Sequence, residues 1–362
     1  MTTLVSGLRI DVAPMAILAS PWSFVILPDE RALITQAPFN VHVMSRERVM
    51  TPVGGLPTSL MIGIFDIIAS PRFTSDGTVF LSYAEKSTTD DKQLGLAVLS
   101  AVLTSDANNA PVFTNVKTIW RQFPKSSGPS NFGGKMAFSP DERYLFITSG
   151  DRSELLITSQ DPNTLGRLQK LDNNLGKLLR IFPDGSFPAD NPYASNPNVS
   201  PDIWTSGHRN AYGIAFDYNG NLWSNENGPA GGDEFNLIQV GQNYGWPSVS
   251  SGNHYDGGII AKPAPGDGFA APWFVWQTAI APAGLSLYRG SLFRQWSYDL
   301  IQGSLVGKSL QIMHGTAGGI VELDRIPMTA RIRDVHPHPD GSLWVLEDGP
   351  SNVRLLRLTP SI

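Results

Sequence analysis

Cysteine is absent from all 362 residues, which excludes disulfides, thiolate nucleophiles and cysteine-ligated zinc. Charge is sparse: only 16% of residues are Asp, Glu, Lys or Arg, the net charge is -5, and no run of Lys or Arg occurs. Without a basic footprint the chain offers nothing to a nucleic-acid backbone, so the expected partner is a small molecule. Long apolar runs are also missing. The longest, Leu60 to Ala69, is broken by Asp66 and is far shorter than the roughly 20 residues a membrane-spanning helix needs. The first ten residues lack both the basic start and the apolar core of a signal peptide. Nor is there an H-E-x-x-H pair, a G-x-S-x-G elbow or a phosphate loop, so zinc-protease, esterase-elbow and nucleotide chemistry find no support.

What is abundant is turn and strand chemistry: 35 Gly, 28 Pro and 9 Trp, a profile of many short strands rather than long helices. One pattern recurs. A turn of Pro, Asp, Asn and Gly leads into an alternating apolar strand that ends polar. Copies stand at Leu27 to Thr35, Ser75 to Glu85, Ser139 to Asp151, Asp217 to Asn225 and His338 to Asp348, with a degenerate sixth at Tyr288 to Leu305. Repetition at several tens of residues, with room for four short strands per unit, predicts an all-β, six-bladed β-propeller formed as one domain over residues 1–362. Six units give about 60 residues per blade against the 40 to 50 of compact blades. The surplus is expected in three polar loops, Thr158 to Leu175, Pro183 to Pro201 and Ser248 to Pro272. The polar strand ends should converge on one face near the axis.

Three stretches carry candidate chemistry. Ser224 to Pro247 sets Gly228-Pro229 between a strand and an apolar segment and gathers Glu226, Asp233 and Glu234, an oxygen-rich set suited to a hard cation such as calcium or to solvated acids on a Gly-rich turn. Ile203 to Phe216 packs His208, Arg209 and Asn210 before an apolar strand. Arg331 and Arg333, two apart, share one face of a strand, where they suit a carboxylate-bearing ligand or serve as structural partners of Asp334 and other acids. Among the histidines, His254 and His314 lie where either could face a site, while His336 and His338, flanking Pro337, read as solvated.

Taken together, Pro21 to Asp29, Phe132 to Phe138, Leu175 to Ile181, Pro188 to Pro192, Gly207 to Asn210, Asn225 to Pro229, Gly232 to Ile238, Asn243 to Pro247 and Arg331 to Val335 resemble, in order, the aldose sugar dehydrogenases and glucose/sorbosone dehydrogenases that use pyrroloquinoline quinone (PQQ). The resemblance implies a quinone over the axis with calcium held partly by the carbonyls of Gly228 and Pro229, and a structural calcium at Glu234 and Tyr244. It implies quinone contacts from Arg209, Asn210, Trp276, Arg331 and Arg333, oxidation of an aldose or related alcohol, a periplasmic or secreted location, and a monomer or homodimer. The sequence departs from the pattern at the catalytic base: relatives carry histidine directly before Phe-Gly-Gly, and here Asn131 stands there. An amide has no basic pKa near neutrality. The usual glutamine and lysine near the quinone align with Met61 and Val306, and a frequent His-Gly-Pro-Arg becomes Asn227-Gly-Pro-Ala230. These changes leave three readings: a PQQ- and calcium-dependent dehydrogenase whose base is displaced to His254 or a carboxylate, a calcium-dependent hydrolase acting on a lactone without quinone, or a propeller that only binds a ligand.

Overall fold

The computed structural model describes residues 2–3, 7–153 and 162–361. Strands account for nearly all of its regular structure, in six antiparallel sheets. The innermost strands, taken around the ring, are Pro21–Ile26, Met61–Ala69, Gly133–Phe138, Ala211–Phe216, Pro282–Leu287 and Arg331–Pro337. Each opens a blade of four strands that runs outward in chain order. The ring closes by exchange of chain ends. Arg9–Leu18 is the fourth strand of the sixth blade, which carries Thr2–Thr3 as a fifth outside it, and it pairs antiparallel with Val353–Pro360 from Ile10 opposite Pro360 to Leu18 opposite Val353. Pairing the two chain ends within one blade ties the ring shut at its seam.

Alternation along these strands buries one apolar cluster in each blade-to-blade interface. Between the first and second blades Leu33 and Val43 meet Ile64 and Leu81; between the sixth and first, Leu346 and Leu355 meet Phe24 and Ile34. The other four interfaces are built the same way. Truncating a core ring such as Phe24 would cost about 3–5 kcal/mol.

Two features of the strands position the site. All six innermost strands carry a register shift against their neighbours, for example between Gly133 and Met136 and between Ile332 and Asp334. Such bulges turn side chains out of the regular alternation. The second strand of every blade runs toward the same face, so the polar ends of the sequence repeat gather there: Gln36, Glu85, Ser149, Glu226, Ser304 and Asp348. The repeat turns lie on the opposite face. Of the three expected long loops, 183–201 and 248–272 are irregular as predicted, whereas the first holds a helix, Pro162–Gln169, and its residues 158–161 lie outside the described residues. Among the described residues no helix is long and apolar enough to cross a membrane.

Beneath that face, the axis is plugged by a buried polar cluster drawn from four blades. Lys135 Nζ donates to Asp66 Oδ1 at 2.9 Å and Asp334 Oδ2 at 2.8 Å, and Ser23 Oγ lies 2.7 Å from each of the same oxygens. Burial works to raise the Asp334 carboxyl, but the Lys135 ammonium and then His336 hold it well below the ordinary carboxylate value.

Candidate active site

The mouth of the propeller is formed by loops that enter the innermost strands and by loops that leave the second strands. Arg209 and Asn210 enter Ala211–Phe216. The Asn210 amide oxygen accepts from the Gly133 N–H at 3.1 Å and its carbonyl from the Asn227 N–H at 3.1 Å, which locks this loop to two others. Arg209 is buried except for 8% of its surface. Its Nη1 donates to the carbonyls of Asn227 and Gly228, at 2.9 Å each, and its guanidinium lies 5.5 Å from the centre of the Trp246 ring and 5.8 Å from that of Tyr255. Gly228 is required by close approach: a Cβ there would sit 2.3 Å from the Gly231 carbonyl oxygen and 2.6 Å from that of Gly232. Its N–H is pinned by Asp233 Oδ1 at 2.9 Å.

Arg331 and Arg333 are brought together as the sequence suggested, and their partner is a different acid. Asp334 belongs to the axial cluster; the carboxylate that takes both arginines is Asp348, opposite Arg331 in the neighbouring strand. Arg331 Nε reaches Asp348 Oδ2 at 2.6 Å, and Arg333 Nη2 reaches Oδ1 at 2.5 Å. Burial opposes ionisation of Asp348, but the Arg333 charge and the Arg331 hydrogen bond hold it below the usual range. Two guanidinium groups thus share one carboxylate, leaving one positive charge unmatched. The Arg333 guanidinium carbon lies over the Trp22 ring, 4.1 Å from its centre, with Tyr212 beside it at 5.9 Å.

Asn131 sits at the rim in the left-handed region, φ 50°. Its Nδ2 donates to Asp151 Oδ1 at 3.0 Å, which leaves its Oδ1 to accept a hydrogen bond from a ligand hydroxyl. Asp151 is a residue that sequence reasoning missed. It is fully buried at the end of a repeat strand, accepts from the Ser153 N–H at 2.8 Å and from Trp246 Nε1 at 3.0 Å, and burial raises its pKa against the opposing charge of Arg209. Trp246 is propped in turn by the helix 162–169, where Gln169 Nε2 donates to its carbonyl at 2.6 Å.

Other expected site residues stand apart. Trp276 belongs to the apolar interface of the fourth and fifth blades, edge-on to Phe235, with its indole N–H on Glu322 at 2.7 Å. His254 lines a neighbouring groove with Gln169 and Pro247, while the next residue, Tyr255, reaches Arg209 at 3.4 Å. Met61 is buried in an interface cluster and Val306 is exposed. His336 and His338 are not solvated as expected: one leans on Phe24 beside Asp334, and the other stacks flat on Trp344 at 4.7 Å.

The donor sets test the implied ligands. A planar polycarboxylate such as PQQ fits the unmatched guanidinium charge and its aromatic flanks. A cation at the Gly228 carbonyl does not fit as arranged, because the Arg209 guanidinium already occupies that oxygen. The Tyr244 hydroxyl is also engaged, with the Leu237 carbonyl and the Gln239 N–H. Glu226 and Glu234 face each other across paired strands in the small cleft below Pro229. Burial and then the Glu226 charge push the Glu234 carboxyl up to about 8. A raised carboxyl such as Glu234 suits a hard cation, but Glu226 is already engaged, its Oε2 2.9 Å from His208 Nδ1 and its Oε1 accepting from the Arg209 N–H, and among the described residues no three His, Asp or Glu side chains gather as a metal set.

Comparison with known proteins gives these features a family. The chain is 35% identical over 354 residues to the aldose sugar dehydrogenase YliI of Escherichia coli, covering 95% of this chain and 91% of that protein. The apo crystal structure of the soluble aldose sugar dehydrogenase from Escherichia coli superposes with a TM-score of 0.87 at 34% identity, covering 98% of this chain and 100% of that one. The PQQ-bound aldose sugar dehydrogenase of Streptomyces coelicolor, 24% identical with a TM-score of 0.74 over 98% of this chain and 99% of that one, shares the fold. Residues 18–357, from the last residue of the closing strand to the last blade, match the glucose/sorbosone dehydrogenase family, and the chain belongs to that family.

Proposed function

We propose that the chain is an oxidoreductase that oxidises an aldose or related alcohol at the mouth of the propeller with PQQ as its cofactor. The observation that carries this reading is the arginine pair Arg331 and Arg333 on the single carboxylate Asp348, a fixed fork with spare positive charge over Trp22. It supplies what a quinone tricarboxylate needs and what a neutral lactone does not. Bound there, PQQ would supply the two-electron acceptor for hydride from the sugar.

The rest follows from the chain's own residues. Arg333 and Arg331 would hold carboxylates, and Trp22 and Tyr212 would flank a planar ring and exclude water on that side. Asn131, with its amide nitrogen committed to Asp151, would orient the substrate hydroxyl through Oδ1 without removing its proton. None of these side chains is a base for that proton, and His254 lines the neighbouring groove, so turnover of the natural sequence is expected to be slow. Calcium, if used, would be held by Glu234, since Glu226 beside it is taken by His208 and the Arg209 N–H.

Asp151 already stands where an imidazole at position 131 would find an orienting carboxylate, the arrangement that makes histidine an efficient base. The test is sugar-dependent dye reduction by PQQ-reconstituted protein, in the natural sequence and as Asn131→His. The reading expects slow turnover that rises sharply in the variant. No turnover with any aldose in either folded protein would sink it.

A further inference from the structure

On the face opposite the mouth, a groove lies between the first turns of the fourth and fifth blades. We propose that this groove is a second, non-catalytic binding site for a neutral saccharide, so that the protein holds a glycan on one face while the mouth works on the other. The site rests on four observations and is independent of how the mouth is read.

The lip is aromatic and exposed: Tyr218 and Tyr298 expose 62% and 55% of their surface, and their ring centres are 4.4 Å apart. Two tyrosines left in water at this spacing form a platform of the kind that sugar C–H faces stack on, with hydroxyls at the rim. Tyr298 is held there at cost. Its φ is 69°, in the region a bulky residue avoids, and such strain persists where a side chain must be aimed.

The wall carries an unmet acceptor. Asp299 is 97% buried; its Oδ1 accepts from His314 Nδ1 at 2.6 Å, and its Oδ2 has no partner among the described residues. Leaving a buried acceptor unpaired costs about 1–3 kcal/mol; Oδ2 has no exposed surface, so a ligand in the groove meets this pair through the half-exposed His314 ring that Asp299 holds. The other carboxylate at the groove, Asp217, is consumed by its own loop and by Trp223 Nε1 at 2.9 Å. The floor is apolar, with Trp223, Leu300 and Met313. Among the described residues no Lys or Arg lines the groove, which disfavours anionic ligands. An exposed pair of rings tilted by 48°, a half-exposed imidazole beside them and an apolar floor match a pyranose that stacks on one ring and hydrogen-bonds through a hydroxyl.

The experiment is calorimetry on the full chain without PQQ, titrating maltose, cellobiose and lactose, with choline as the contrasting ligand, since aromatic faces also take quaternary ammonium groups. At least one disaccharide should bind with a Kd in the millimolar range or tighter. Tyr298→Ala should weaken it about tenfold, as should Asp299→Asn, whereas Arg333→Ala at the mouth should leave it unchanged. Because Tyr298 is exposed, its truncation should not unfold the protein, which a melting curve checks. The proposal is overturned if none of the sugars binds, if binding survives Tyr298→Ala but is lost in Arg333→Ala, or if choline binds here and sugars do not.

Discussion

Two clusters of opposite imbalance lie one above the other near the propeller axis. In the plug, one cation, Lys135, meets two carboxylates, Asp66 and Asp334; at the mouth, two cations, Arg331 and Arg333, meet one carboxylate, Asp348. Arg331, Arg333 and Asp334 sit on the same strand, and the register shift between Ile332 and Asp334 sends the last of them to the plug. The plug is closed. Its oxygens are occupied by Lys135, Ser23 and the Met136 N–H, so each charge has a protein partner. The mouth is open, with Arg331 keeping 42% of its side chain exposed, and among the described residues its surplus charge has no second carboxylate to meet. A saturated cluster reads as architecture and an unsaturated one as a place for ligand.

The comparison is broken most forcefully at Lys135. Lys135→Met would leave two buried carboxylates facing each other, and a loss of about 3–5 kcal/mol in denaturant unfolding is expected; a change under 1 kcal/mol would mean that the plug is not closed. Asn131→His should raise PQQ- and sugar-dependent turnover by about a hundredfold or more, since one positioned proton acceptor contributes roughly 10²- to 10⁴-fold, read by dye reduction. Arg333→Ala should weaken PQQ binding by about thirtyfold, in line with roughly 2 kcal/mol for a charge-assisted hydrogen bond, with little loss of the fold.

Acid sharpens the contrast. Asp334 and Asp348 are both depressed in the folded state, so each contributes stability that is present above the unfolded value of about 3.9 and is lost as pH falls through the folded value. The difference in melting temperature between the natural protein and Lys135→Met should therefore be constant near neutrality and shrink as pH is lowered below about 4. The smallest effect is expected from Arg331→Ala. Its exposed side chain should add less than about 1 kcal/mol to stability, so a larger loss in thermal unfolding would move Arg331 from the ligand's side of the comparison to the architecture's.

The fold was legible because its determinants are local. Turn residues such as Pro339-Asp340-Gly341, period-two alternation and polar strand ends recur at each blade, and the degenerate unit's strand appears at Leu300–Ser304. The closing strand Arg9–Leu18 was not, because its partners lie more than 300 residues away. At the site, the arginine pair was visible from its spacing, but its partner was not. Asp348 is 15 to 17 positions downstream and becomes the neighbour only through strand pairing. Lys135, Asp66 and Asp334 meet from three blades, and nothing in any one segment announces the cluster. Asp151 had a signal, since it ends a repeat strand as Asp348 does. His338 misled because a histidine beside Pro at a turn looks solvated, whereas the following strand supplies Trp344 as a stacking partner.

The central claim, that the unmatched arginine charge at the mouth receives the carboxylates of a quinone, is tested most directly by calorimetric titration of the protein with PQQ, read together with the quinone's absorbance. One-to-one binding that is markedly weakened by Arg333→Ala and unaffected by Tyr298→Ala is the predicted result. Absence of binding to a folded protein, with or without calcium, would contradict the account and return the mouth to the hydrolytic or purely binding readings.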